Sequence, residues 1–262
     1  IERCARSLFE QTLDDIEFIF VDDCTPDRSI AILKSVIEKY RLRFVEKKYD
    51  VRIARMPTNS GLAAVRRHGI QLATGDYIIH CDSDDWVDVT MYEKMHNKAI
   101  EDNADIVVCG YQETDGTDVI KQGGHKFYTK EEYISNMLFM KETWAIWDKL
   151  CKRKLYQGLV PPQFAMGEDL DITMQITLKA NNISIINEPL YHYFFNRSSI
   201  TKVQTEEKRY TNWKQSISNA SKALYFLSQY GLQNKLMTEI IYLKYKQKKL
   251  LGKLAFNKKY AG

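Results

Sequence analysis

Apolar residues in the first 110 positions fall into short runs separated by amphipathic stretches. Residues 1–13 read as a helix with Cys4, Leu8 and Phe9 on one side. Residues 16–21 (IEFIFV) are a compact, β-rich apolar run ending in Asp22-Asp23-Cys24-Thr25-Pro26-Asp27, the pattern of a buried strand followed by a turn. Ser29 to Tyr40 reads as a helix with Ile30, Leu33 and Ile37 inward, and residues 51–55 (VRIAR) as a strand. Gly61 opens a helix with Leu62, Val65, Gly69 and Leu72 in register. Residues 76–81 (DYIIHC) predict a third strand, followed at once by Asp82-Ser83-Asp84-Asp85. A helix over 90–101 and a strand at 105–109 (DIVVC) complete the run. Strands alternating with helices predict an α/β domain with a mostly parallel sheet, right-handed crossovers and helices on both faces. Ligands bind such sheets beyond the C-terminal strand ends, where both acidic clusters fall.

The second half is less regular. Residues 112–126 hold Gly116, Gly123 and Gly124 and read as a long mobile loop. Thr129 with Glu132 makes a capping box for a helix through Met140. Trp144 to Leu150 (WAIWDKL), a Pro161-Pro162 break and Gly167-Glu168-Asp169 follow. Over 170–178, Leu170, Ile172, Met174, Ile176 and Leu178 alternate as in a strand, yet Leu170, Met174 and Leu178 also share one helix face, so the pattern is open. Residues 190–195 (LYHYFF) are strand-like, and from about 206 the chain reads as helical, aromatic and Lys-rich.

The 262 residues, 44% hydrophobic and 27% charged, suffice for one α/β domain and a smaller appended part. No apolar run is long enough to span a bilayer, and no signal peptide is legible at Ile1. The five scattered cysteines contain no C-x-x-C pair and read as reduced thiols, which points to the cytoplasm. A net charge of +4 does not argue for a nucleic-acid partner. Its distribution says more: after Glu239 no acidic residue remains, while Lys244, Lys246, Lys248, Lys249, Lys253, Lys258 and Lys259 follow.

Carboxylates crowded as in Asp82-Ser83-Asp84-Asp85 repel one another unless a cation or donor groups compensate. Hard divalent cations, Mg²⁺ or Mn²⁺, suit carboxylate and phosphate oxygens; the alternative is a solvated Asp-rich turn. A calcium loop is excluded by Val87 and Trp86, which replace the turn glycine and a ligand. A carboxylate of Asp22-Asp23 can accept the imide N–H of uracil or bind ribose hydroxyls; the alternative is a turn, with Asp27 as helix N-cap. At Glu168-Asp169 one carboxylate can take a proton from an attacking hydroxyl. On the residues alone, favourable acidic charge in a first helical turn is the simpler reading.

These clusters, in this order, resemble the family 2 inverting glycosyltransferases of the GT-A fold from Ile1 to about Thr201. Cys4 to Thr12 resembles the family's first helix. VDDCTPD at 21–27 resembles its V-D-D-G-S-x-D, with Cys24 in the glycine position. Asn59-Ser60-Gly61-Leu62 with Arg66 resembles N-x-G-L-x-x-A-R-N, with Arg67 in place of the final asparagine. Thr74 to Ile78 and DSDDW at 82–86 resemble G-D-Y-I-x-x-x-D-x-D-D. MGEDLD at 166–171 resembles the E-D motif, and Ser198-Ser199-Ile200-Thr201 its S-I-T ending. The family begins with an apolar strand ending in P-x-Y-N, so the resemblance implies a strand before Ile1.

The implied fold is a nucleotide-diphospho-sugar transferase: a Rossmann-like, mostly parallel mixed sheet flanked by helices, with C-terminal helices. Its transferase domain would span 1–204, with a nucleotide-binding half to about 110, an acceptor-side half over 111–204, and a helical extension over 205–262. The implied activity is metal-dependent, inverting transfer of a sugar, with UDP as the expected nucleotide, to a glycan or lipid-linked glycan hydroxyl in cell-surface polysaccharide synthesis. By position, Asp23 and then Asp22 would contact the base, Asn59 and Arg66 would line base and ribose, and Asp82 with Ser83 would face ribose or metal. Asp84 would be the main ligand of Mn²⁺ or Mg²⁺, with Asp82 and His192 as further candidates. Asp169 would be the catalytic base beside Glu168, and Trp147, Lys149 and Arg197 would lie on the acceptor or phosphate side. The competing functions are a sugar nucleotidyltransferase, for which no Gly-rich phosphate loop is visible, and a non-catalytic nucleotide-sugar or glycan-binding module. The tail over 240–262 has two readings as well. One is a solvated helix face. The other is a surface that uses Ile240, Ile241, Leu243, Leu250, Leu251, Leu254 and Phe256 beside the lysines to sit on the inner face of an anionic membrane.

Overall fold

Phe9, at the end of α1 (Glu2–Phe9), is fully buried and gathers the first core. Its ring meets Phe18 edge-on at 5.5 Å and Phe20 at 5.9 Å on β1 (Glu17–Asp22), and Phe44 at 4.8 Å on α2 (Ser29–Lys47). Such edge-to-face pairs add to the burial of the rings themselves. Cys4, Leu8 and Phe9 all turn inward, as the periodicity of α1 predicts. The computed structural model describes residues 1–195 and 205–260, with side chains to Leu250 and at Gly252 and Lys253. Arg197 and the Ser198–Thr201 motif lie outside these residues.

The remaining elements are β2 (Asp50–Arg55), α3 (Leu62–Leu72), β3 (Tyr77–Ile78), β4 (Trp86–Val87), α4 (Met91–Glu101), β5 (Ile106–Thr114), β6 (Val119–Gly123), α5 (Lys130–Leu138), β7 (Lys149–Lys152), α6 (Glu168–Lys179), β8 (Ile183–Phe194), α7 (Glu206–Gln229) and α8 (Met237–Tyr260). They form two compact units. The first holds residues 1–125, 146–158 and 181–195; the second holds 126–145, 159–180 and the described residues from 205 onward. Helices α7 and α8 fall in the second unit with α5 and α6.

In the first unit β1 and β2 pair in parallel, Glu17 opposite Asp50. A six-stranded sheet follows the order β3-β7-β5-β8-β4, with β6 also on β5. Among the described residues no strand joins β1 to this larger sheet. The class is α/β with a mixed sheet flanked by helices, as expected. Among the described residues, however, four of the six strand pairs are antiparallel, and β1–β2 and β5–β8 are parallel. Strand–helix alternation over the first 110 residues could not show that later strands return antiparallel. The expected strand at 76–81 shrinks to two residues.

Residues 112–126 are not a long loop. Strand β5 runs on to Thr114 and pairs with β6 across a turn closed by Asp115, whose carboxylate accepts from Thr117 N at 3.0 Å and Asp118 N at 2.9 Å. Asp is favoured at turns for this reason, and β6, exposed on both faces, has no apolar alternation to reveal its strand character. Asp27 binds Ser29 N at 2.8 Å, although the helix N-cap is Arg28. In α3 the expected inward Leu62 is exposed, and the most buried side chain is the charged Arg66.

The second unit settles the 170–178 pattern. Helix α6 is buried nearly all round, so it lacks the polar face that would betray a 3.6-residue period. Thr129 caps α5 by accepting from Glu132 N at 3.1 Å, while Glu132 reaches back to Tyr128 N at 2.8 Å, one residue before the N-cap N–H that closes a capping box.

Strand β5 carries a β-bulge at Gly110, opposite Pro189 of β8. A Cβ there would stand 2.7 Å from the Glu188 carbonyl oxygen and 3.3 Å from that of Gly123. Both are backbone atoms of paired strands, so no rotamer change relieves the clash. Gly110→Ala should destabilise the chain by about 2 kcal/mol or more. A denaturant midpoint equal to the wild type would refute this.

Candidate functional site

Asp82 to Asp85 bridge β3 and β4, and the backbone of this turn is tied from several sides. Asp85 N donates to Asp82 O at 3.1 Å. The Tyr191 hydroxyl of β8 accepts from Asp82 N at 3.1 Å and donates to Asp85 Oδ2 at 2.6 Å. Phe194 N donates to Asp85 Oδ1 at 2.7 Å. Arg3 Nη2 donates to Asp84 O at 3.3 Å, with its guanidinium 3.5 Å over the Trp86 ring. Asp85 is only 1% exposed. Burial pushes its carboxyl up to about 7, against the Phe194 and Tyr191 bonds and with help from Asp84 and Asp82. Asp82 is half-buried and holds Arg66 Nη2 at 3.0 Å, while Ser83 and Asp84 are exposed.

The strand end of β1 forms a second carboxylate site. Asp23 accepts from Ser60 N at 2.7 Å and Gly61 N at 2.8 Å, one bond to each oxygen, and Asn59 Nδ2 donates back to Asp23 O at 3.0 Å. Asp23 therefore holds the segment that opens α3, where the first N–H groups lack helical partners. Asp22 is buried and accepts from Thr25 N at 2.8 Å, closing the turn. Cys24, in the glycine position, has φ +59°, a left-handed conformation that a Cβ disfavours. Its thiol donates to Met56 O at 3.3 Å.

Three expected residues turn inward. Trp147 is buried, stacked on Tyr191 at 4.2 Å and 15° and edge-on to Tyr111 at 5.1 Å. Lys149 is buried with Nζ 2.6 Å from Asp148, which also meets His125 Nε2 at 3.2 Å. Burial pushes the Asp148 carboxyl up, but Lys149 and His125 prevail and hold it below the usual range. His192 stacks on Trp86 at 5.2 Å and 6°, with Nδ1 2.5 Å from Gln112 Nε2, and burial lowers its pKa. These contacts bury Trp147 and Lys149 in the core and leave His192 half-buried against Trp86.

In the second unit Glu168 and Asp169 open α6, Glu168 buried and Asp169 half-buried. Gly167 precedes them at φ +76°, and a Cβ there would lie 2.9 Å from Ser216 Cα of α7. Only glycine admits both the conformation and that approach. Buried Asn219 of α7 donates to Phe164 O at 2.7 Å and Met166 O at 2.9 Å, fixing the segment that delivers the acidic turn. One turn on, Asp171 pairs with Lys222 Nζ at 2.9 Å and Gln175 Nε2 at 3.0 Å; burial still raises its pKa.

Asp82 and Asp84 supply the oxygen donors a hard divalent cation prefers. No group of three His, Cys, Asp or Glu side chains converges among the described residues. Sequence reasoning missed Arg3, Asp85, Tyr191 and Asn219 as site-building residues. Asp85 was visible only as part of its cluster, and Tyr191 and Asn219 carried no local signal.

The family model described as Glycosyl transferase family 2 matches residues 1–159. The uncharacterized glycosyltransferase EpsJ of Bacillus subtilis is 31% identical over 214 residues, 78% of this chain and 59% of EpsJ. The cholesterol galactosyltransferase of Borreliella burgdorferi is 30% identical over 217 residues, 77% of this chain and 58% of that protein. The chain thus spans about three fifths of the length of these relatives. Among solved structures, S. aureus TarS residues 1–349 superposes with a TM-score of 0.67 at 18% identity, covering 93% of this chain and 67% of TarS. That likeness bears on the fold, which is GT-A. Ordered acidic motifs at strand ends are accounted for when the match over the first 159 residues is taken with them: the chain belongs to glycosyl transferase family 2.

Proposed function

We propose that this protein transfers a sugar from a UDP-sugar to a glycan or lipid-linked glycan hydroxyl in cell-surface polysaccharide synthesis, with inversion and with Mn²⁺ or Mg²⁺. The observation that carries this is the Asp82–Asp85 turn: its backbone is tied by Tyr191, Phe194 and Arg3, while Asp84 stays exposed. TarS, solved with UDP and with UDP-GlcNAc, supports the choice of nucleotide. A mannosyltransferase from Pyrobaculum calidifontis, in complex with GDP-Man and Mn²⁺, supports a divalent ion at a TM-score of 0.54.

Asp84, with Asp82 beside it, would hold the cation, which when bound supplies positive charge against a diphosphate leaving group. Asp23 and Asn59 shape the segment facing base and ribose, and Arg66 orients Asp82. Asp169 takes the proton from the acceptor hydroxyl as its oxygen bonds to the anomeric carbon and the bond to diphosphate breaks, so the configuration inverts. Glu168, buried beside it, supports the helix start.

The α8 surface supports a peripheral membrane role by a route other than the expected one. Ile240 and Leu243 pack inward and cannot meet lipid. Met237, Ile241 and Tyr245 recur every four residues on the exposed face, the latter two 59% and 57% exposed, beside exposed Lys244, Lys248 and Lys249. Among the described residues no helix is long and apolar enough to cross a membrane.

Incubation with UDP-GlcNAc and other sugar nucleotides, with Mn²⁺ present, should release nucleoside diphosphate; no release from any donor refutes the transfer. Asp169→Asn should lower turnover by about 10²- to 10⁴-fold and leave UDP affinity within about twofold. Full turnover in that variant removes the base assignment. Asp84→Ala should abolish the Mn²⁺-dependent part of UDP binding measured calorimetrically; an unchanged increment would place the ion elsewhere. Charge neutralisation by Lys244→Gln, Lys248→Gln and Lys249→Gln should weaken binding to phosphatidylserine vesicles, read by cosedimentation, by about 100-fold, at about 1 kcal/mol per lysine. Equal sedimentation of variant and wild type removes the membrane role.

A further inference from the structure

The acidic turn carries three carboxylates in four residues, and the fold treats them unequally. Asp84 is exposed and Asp82 half-buried, but Asp85 is withdrawn into the sheet. Both Asp85 oxygens are engaged by β8, one by the Tyr191 hydroxyl at 2.6 Å and the other by the Phe194 amide at 2.7 Å. The Tyr191 hydroxyl has a second bond, accepting from Asp82 N at 3.1 Å. It therefore uses its donor on one end of the turn and a lone pair on the other. Its ring has no freedom to drift: Tyr191 is 0% exposed, and Trp147 stacks on it at 4.2 Å. Strand β8 is itself in register with β4, His192 opposite Trp86 and Tyr191 opposite Val87, so the hydroxyl arrives from a hydrogen-bonded neighbour.

Resting on the transfer reading above, we propose that Tyr191 and Asp85 are positioning residues of the donor site: the Tyr191 hydroxyl pins Asp82 to Asp85 and so fixes where the Asp82 and Asp84 side chains point. Neither residue needs to touch the donor. Their effect is preorganisation, since catalytic geometry held by rigid supporting groups loses about 10²-fold for a displacement near 1 Å. Asp85 is the right anchor because a buried carboxylate with both oxygens bonded is costly to release, whereas a buried apolar side chain would leave the Tyr191 hydroxyl and the Phe194 N–H without their acceptor.

The test uses the full chain with Tyr191→Phe, Asp85→Asn and the double variant. Amide hydrogen exchange is read over residues 82–86, with residues 17–22 of β1 as the internal control, and UDP release is followed from UDP-GlcNAc. Tyr191→Phe keeps the stacked ring and removes only the hydroxyl. Its exchange over 82–86 should rise at least about tenfold while β1 stays protected, and turnover should fall about 10- to 100-fold. The double variant should lose less than the two single losses combined, because both changes remove the shared Tyr191–Asp85 bond. Should Tyr191→Phe fail to fold, Asp85→Asn, nearly the same size, carries both measurements. Unchanged exchange over 82–86 overturns the pin. Loosened exchange with turnover within twofold overturns the positioning role, and so does a rise in exchange shared equally by β1, which marks global destabilisation. A wild-type chain that protects the turn but releases no nucleoside diphosphate from any sugar nucleotide overturns the transfer reading, and the positioning role with it.

Discussion

Like charges at one strand end dictate much of the first unit. Asp82, Asp84 and Asp85 cannot share a short turn unless each finds a different answer to its repulsion. Asp85 is taken out of water and bonded at both oxygens, Asp82 is paired with the buried Arg66, and Asp84 is left to solvent. The consequences spread outward. Arg66 is the most buried residue of α3, so that helix turns a cation inward to meet Asp82. Strand β8 supplies Tyr191 and Phe194, and α1 supplies Arg3, so distant segments are committed to one four-residue turn.

The second unit solves a related problem by different means. An acidic first turn is favoured by the dipole of α6, but its approach must be held against α7. Gly167 permits that approach, and Asn219 supplies two donors to the carbonyls of the incoming segment. One turn further, a buried Asp171 is tolerated because Lys222 and Gln175 meet it. Replacing either partner would strand a charge in a dry interior, which costs more than the pair itself contributes. The same logic governs Asp148 between Lys149 and His125. Residues of catalytic type can thus belong to the scaffold, and charge at Lys149 or an aromatic ring at Trp147 does not by itself mark a ligand contact.

The sequence by itself determined the α/β class, the first helix, expected over 1–13 and found at Glu2–Phe9, the Thr129 cap of α5, and the acidic pair at the end of β1; the Asp82–Asp85 cluster, expected at the end of a strand, instead leads into β4. These follow from local signals: periodic burial, side-chain caps, and turn residues that read the same in any context. It did not show the β5–β6 hairpin, whose exposed strand has no apolar alternation, or the helical state of 170–178, where burial on every side erased the period. It also could not tell which faces of α8 look outward, or that Trp147 and Lys149 point into the core. Only the tertiary structure decided those, along with the roles of Tyr191, Asp85 and Asn219. Their meaning lies in partners far along the chain: 106 residues separate Tyr191 from Asp85, and 53 separate Asn219 from Met166. A hydrogen bond across that distance depends on strand pairing and helix packing, which no window of local sequence contains.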